Sequence, residues 1–94
     1  MDKCINRCMD HDKLHKRLKK IIGQINAIDR MVEEDIPCED ILMQINAAKS
    51  ALHKAGQVIL EGHLKHCVRE GFENGDADKT IENFAKSIEY FSRF

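Results

Sequence analysis

Four cysteines and five histidines among 94 residues are where this sequence has chemistry to offer. His63 and Cys67 stand four positions apart, which on a helix puts an imidazole and a thiol on one face within reach of a common ion. Cys38 lies 29 residues before Cys67 and 25 before His63. On one continuous helix that separation is about 37 to 43 Å, so a single chain cannot join the three ligands. Two copies crossing antiparallel about a two-fold axis can, because Cys38 of one protomer then meets the partner's His63 and the partner's Cys67, and symmetry gives two equivalent sites. The crossing would fall near residues 51 and 52. That stretch holds Ala47, Ala48, Ser50, Ala51, Ala55 and Gly56, small residues that let helix axes approach closely.

Cys38 would sit in the first turn of its helix, where the positive end of the dipole favours thiolate over thiol. Two thiolates and one neutral imidazole suit a soft ion such as Cu(I), whereas Zn(II) would need a fourth ligand. Spacing alone is equally compatible with two core cysteines and a satisfied buried histidine.

A second cluster, Cys4, Cys8, His11 and His15, is spaced four, three and four, so it forms one stripe if the first helix reaches the N-terminus. It would be an additional metal site or the source of a fourth ligand for the first. The competing reading is structural, since the stripe continues into Leu18, Ile22 and Ile25 and chain ends commonly fray. His53 and His66 read as surface or polar-contact histidines, His66 being turned by about 100° from the Cys67 face.

The elements that must carry these residues are helices. Leu14, Leu18, Ile21, Ile25, Ile28 and Val32 recur at steps of three and four and predict a helix from about Asp10 to Glu34. Pro37 stops it and is welcome in the first turn of the next helix, with Asp35 or Ile36 as N-cap and Glu39 and Asp40 complementing the dipole. That second helix is expected from Pro37 to about Glu73, burying Ile41, Leu42, Ile45, Ala48, Leu52, Ala55, Ile59 and Leu60. Asn74, Gly75, Asp76 and Asp78 spell a turn and a cap, with Asp76 or Asp78 capping a third helix from about Lys79 to Phe91. No alternating strand pattern is present. The fold class is therefore all-α, a three-helix protomer with one very long central helix.

A helix of about 37 residues is roughly 55 Å long, beyond the diameter of a globule of this size. Its own chain cannot cover it. The remaining apolar stripe needs another copy, so an obligate dimer or larger assembly is expected.

The length suits one small domain over residues 1–94, with residues 1–10 expected to be flexible. Hydrophobic residues at 43% and charged residues at 33% exclude a disordered chain. No apolar run approaches the roughly 18 residues a membrane helix needs, so a cytoplasmic protein without a membrane partner is expected, and reducing conditions there favour metal or redox use of the thiols.

A net charge of −1 means that any nucleic-acid surface must be local. Lys13, Lys16, Arg17, Lys19 and Lys20 crowd one stretch, and Lys13, Lys16, Arg17 and Lys20 share a helix face apart from the apolar stripe. A solvated face is the usual explanation of such a run. Acidic residues are concentrated elsewhere, however, and Lys49, Lys54 and Lys65 would extend a phosphate-binding surface along the second helix. The helices are too long for a helix-turn-helix module.

Arg17-Leu18-Lys19-Lys20-Ile21-Ile22-Gly23-Gln24, Pro37-Cys38, Gln44-Ile45-Asn46-Ala47-Ala48-Lys49-Ser50-Ala51-Leu52 and Gly62-His63-Leu64-Lys65-His66-Cys67, in this order and spacing, resemble the bacterial CsoR/RcnR-type repressors. The resemblance covers about residues 11 to 91. It implies an all-α three-helix protomer that forms an antiparallel four-helix core as a homodimer, with a homotetramer built as a dimer of dimers, and an operator-binding repressor that leaves double-stranded DNA when its inducer binds. In the copper branch the ligands are Cys, His and Cys, which match Cys38, His63 and Cys67; branches answering to nickel, cobalt or formaldehyde change the last position, and the persulfide branch lacks the His. Arg17 and Lys54 match positions implicated in DNA binding in relatives. Copper-sensing relatives often carry a Tyr before the first Cys and a Glu in the third helix; here Pro37 and Asn83 hold those places.

The expectation is thus a repressor released by Cu(I), with Ni(II), Zn(II) or a thiol or persulfide signal as alternatives within the fold. A metal-storage or carrier bundle that never meets DNA is the alternative of another class. An enzyme is not expected, because nothing supplies an oxyanion hole or substrate pocket beside Cys67 and His63.

Overall fold

A computed structural model of the chain describes residues 10–92. Cys4, Cys8, the flexibility expected before Asp10 and the extension of the first helix to the N-terminus lie outside the described residues.

Three helices make the all-α architecture. The first, α1, spans His11–Glu33; α2 spans Cys38–Gly62 and runs on through a π-helical turn, His63–Val68, and a last α-helical stretch, Arg69–Glu73; α3 spans Ala77–Ser92. The central helix is thereby 36 residues long. Gly62 and Arg69, which bracket the π turn, both keep right-handed helical dihedrals, so the helix passes through it without a break.

The ends are set by local chemistry. At the close of α1 the amide of Ile36 donates to the Met31 carbonyl and that of Asp35 to the Val32 carbonyl, with Asp35 left-handed at φ 55°. This pairing satisfies carbonyls that the last turn would leave bare. The close of the central helix repeats it: Asp76 donates to Gly71, Gly75 to Phe72, and Gly75 takes φ 82°. Glycine tolerates that dihedral freely, while an aspartate tolerates it at a cost.

One expectation is corrected at the start of α2. Neither Asp35 nor Ile36 is the N-cap, because the Pro37 carbonyl accepts from both Asp40 and Ile41 and is itself the boundary residue. Pro37 therefore precedes the helix and Cys38 is its first residue. At α3 the Asp76 carbonyl accepts from Thr80, which makes Asp76 the boundary residue.

The chain forms two compact units, Asp12–Ala55 and one that groups His11 with the part from Gly56 onwards. In the first, the buried side chains are Leu14 and Ile21 of α1 and Ala48 and Ala55 of α2. Ile25, Val32, Leu42, Ile45 and Leu52, which periodicity assigns to buried faces, are instead 42 to 63% exposed. Two helices bury a narrow seam, and these apolar stripes are wider than one chain covers.

In the second unit α3 packs against the π turn and the stretch after it. At Gly71 the approach leaves no room for a side chain, since a β-carbon there would run into the Thr80 side chain. No helix among the described residues is long and apolar enough to cross a membrane.

Candidate metal centre

His63 opens the π turn and is the buried polar side chain of the described residues, with 4% of its surface exposed. Its ring lies against the ring of Phe84 on α3, centroids 5.9 Å apart and planes inclined by 25°, within the range of favourable aromatic stacking. Burial lowers its pKa below the ordinary histidine value of 6.5, because a charged imidazolium would lose its hydration. The neutral form so favoured is the one that ligates metals. Its Nε2 atom is buried without a hydrogen bond, while the residue is held by the ring stack and by further contacts.

Cys67 lies on the same π turn, four residues on, and is half-buried. It is disulfide-bonded in the structure, so its sulfur is available as a thiolate only on reduction. Cys38 is a free, exposed thiol at the first position of α2. His63 and Cys67 therefore share one turn as their spacing predicts, while Cys38 belongs to the other compact unit. Among the described residues no group of three or more metal-ligating side chains is gathered within the chain.

The remaining candidates are dispersed. His11 and His15 lie on α1 with exposed side chains. His53 is half-buried on α2, and His66 lines an open groove with Lys65, Arg69, Glu70 and Glu73. Lys13, Lys16, Arg17 and Lys20 of α1 and Lys49 and Lys54 of α2 are all exposed and fall within the unit Asp12–Ala55. Two features escape sequence reasoning. The π turn has no sequence signature, and Phe84 is visible only as one apolar residue among several on α3.

Residues 10–90 match the family described as metal-sensitive transcriptional repressor. The chain belongs to that family. The family match makes it a metal-sensing transcriptional repressor of the CsoR type and not an enzyme. It is 36% identical over 84 residues to the copper-sensing transcriptional repressor CsoR of Bacillus subtilis (strain 168), an overlap covering 89% of this chain and 83% of that one. Its fold is similar to that of the copper-sensing repressor CsoR with Cu(I) from Geobacillus thermodenitrificans NG80-2, with a TM-score of 0.83, 36% identity, and coverage of 86% of this chain and 84% of that one. It is also similar to the nickel-responsive transcriptional regulator InrS, with a TM-score of 0.80, 28% identity, and coverage of 87% and 92%.

Proposed function

We propose that the chain represses transcription from operator DNA and releases it when Cu(I) binds between two subunits, at Cys38 of one and the partner subunit's His63 and the partner subunit's Cys67. The observation that carries this is the buried imidazole of His63, held neutral by its surroundings on the same turn as Cys67. Donor chemistry agrees with it. Two sulfurs and one imidazole, once reduced, suit a soft monovalent ion that accepts low coordination numbers. The copper-sensing relatives support the choice of metal.

A second copy is part of this reading. Ile25, Val32, Leu42, Ile45 and Leu52 expose more apolar surface than a chain of this size leaves to water without cause, and an antiparallel homodimer, or a homotetramer of two such dimers, would cover it. Lys13, Lys16, Arg17, Lys20, Lys49 and Lys54 supply the phosphate-contacting surface for double-stranded DNA. Metal capture favours one arrangement of the subunits, and affinity for DNA falls by the difference in binding energy between the two arrangements.

Titration of the reduced protein with Cu(I), Ni(II) and Zn(II) against competing chelators, read by absorption and by loss of operator binding, tests the reading. Cys38→Ala and His63→Ala should still bind operator and should no longer leave it on addition of Cu(I). Continued release from both variants would overturn the assigned site. The likeness to the nickel-responsive regulator favours Ni(II) as the second candidate, and the same titration decides between the two.

A further inference from the structure

The imidazole of His63 is covered on one side by Phe84, the point at which α3 touches the candidate ligand itself. Phe84 is half-buried, and one turn earlier on the same helix Thr80 is pressed against Gly71. Thus α3 is registered on the central helix at two places, a steric one at Gly71 and a chemically responsive one at His63. Beside Phe84, three residues before it and four after, stand Ile81 and Ile88, which with Tyr90 farther round the helix are 56, 47 and 67% exposed. Whatever tightens or loosens α3 therefore reaches an apolar surface.

We infer that Phe84 is a positioning residue that couples the state of the His63 imidazole to the packing of α3. The inference rests on His63 being a ligand of the metal. An imidazole that lends its lone pair to a cation is left electron-poor, and an electron-poor ring is attracted more strongly to the negative face of a benzene ring than a neutral one is. The stack across α3 and the π turn is thus stronger in the loaded protein. A π turn keeps an extra residue within an otherwise regular helix, so the His63 side can adjust its ring without unwinding.

The test compares the reduced wild-type protein with Phe84→Leu, which removes the π face, and Phe84→Tyr, which keeps it. Amide hydrogen exchange across Ala77–Ser92 is measured with and without Cu(I), alongside Cu(I) affinity by chelator competition. Saturating Cu(I) should slow exchange in this segment by about threefold or more in wild type and Phe84→Tyr. In Phe84→Leu the slowing should vanish, while Cu(I) affinity falls by less than about tenfold. A Phe84→Leu protein that binds Cu(I) and keeps the full slowing overturns the coupling role alone. Wild-type protein that binds no Cu(I) overturns this inference together with the reading beneath it. Should Phe84→Leu fail to fold, the ring carbons of isotope-labelled Phe84 in wild type decide the matter: their signals should move on addition of Cu(I), and unmoved signals overturn the inference.

Discussion

The side chain of Thr80 occupies the space that a β-carbon on Gly71 would need. A glycine in the last turn of a long helix is a weak helix former, yet here its missing side chain lets α3 close on the central helix. Replacing it gains about 1 kcal/mol of helix propensity and forces an overlap with Thr80 that costs about 1 to 3 kcal/mol. Gly71→Ala should therefore lower the thermal midpoint of the metal-free protein, and chemical denaturation should show a net loss of stability. An unchanged or raised midpoint would mean that α3 is free to move aside.

Asp35 holds φ 55° at the close of α1, a dihedral that costs an ordinary residue about 1 to 2 kcal/mol and glycine almost nothing. Asp35→Gly should stabilise the protein by up to about 1 kcal/mol, part of the gain being offset by the freer unfolded chain. Urea denaturation checks it. The converse substitution, Gly75→Ala, places a β-carbon at φ 82° and should destabilise.

His63 titrates below its ordinary value because burial disfavours its charge. Above pH 6.5 the unfolded chain and the folded protein both carry it neutral, so its contribution to stability does not change there. As pH falls through about 6.5 the unfolded chain takes up a proton that the folded protein resists, and stability declines. Melting temperatures of the metal-free protein between pH 8 and 5 should show that fall, and His63→Leu should flatten it. A parallel decline in the variant would place the responsible group elsewhere.

Cys67 is disulfide-bonded in the structure, and a disulfide sulfur is not a thiolate. Cu(I) binding with operator release should accordingly require prior reduction. Protein handled without reductant should bind Cu(I) weakly, and a phosphine reductant should restore tight binding. Equal affinity before and after reduction would remove Cys67 from the ligand set.

Lys16 and Arg17 are exposed on the basic face of α1. Lys16→Ala and Arg17→Ala should each weaken operator binding and lower the salt dependence by about one phosphate contact, with Cu(I) stoichiometry unaltered. A salt slope equal to that of wild type would show that the residue faces away from the duplex.

The helices could be read from the residues because their ends depend on atoms only a few positions apart. Pro37 lacks an amide hydrogen, and Gly75 with Asp76 supplies a left-handed residue and a boundary carbonyl. The same locality made His63 and Cys67 legible as a pair, since four residues along a helix return nearly to the same face. What the chain order could not decide were relations between residues that meet only after folding. Phe84 reaches His63 across 20 intervening positions, counted along the chain. Thr80 meets Gly71 across a reversal of direction, and the π turn answers to no residue pattern that marks it along the chain. Burial of the imidazole belongs to that second group as well: periodicity can place a histidine on a face, but its loss of hydration, and with it the lowered pKa, follows only from which side chains close over it.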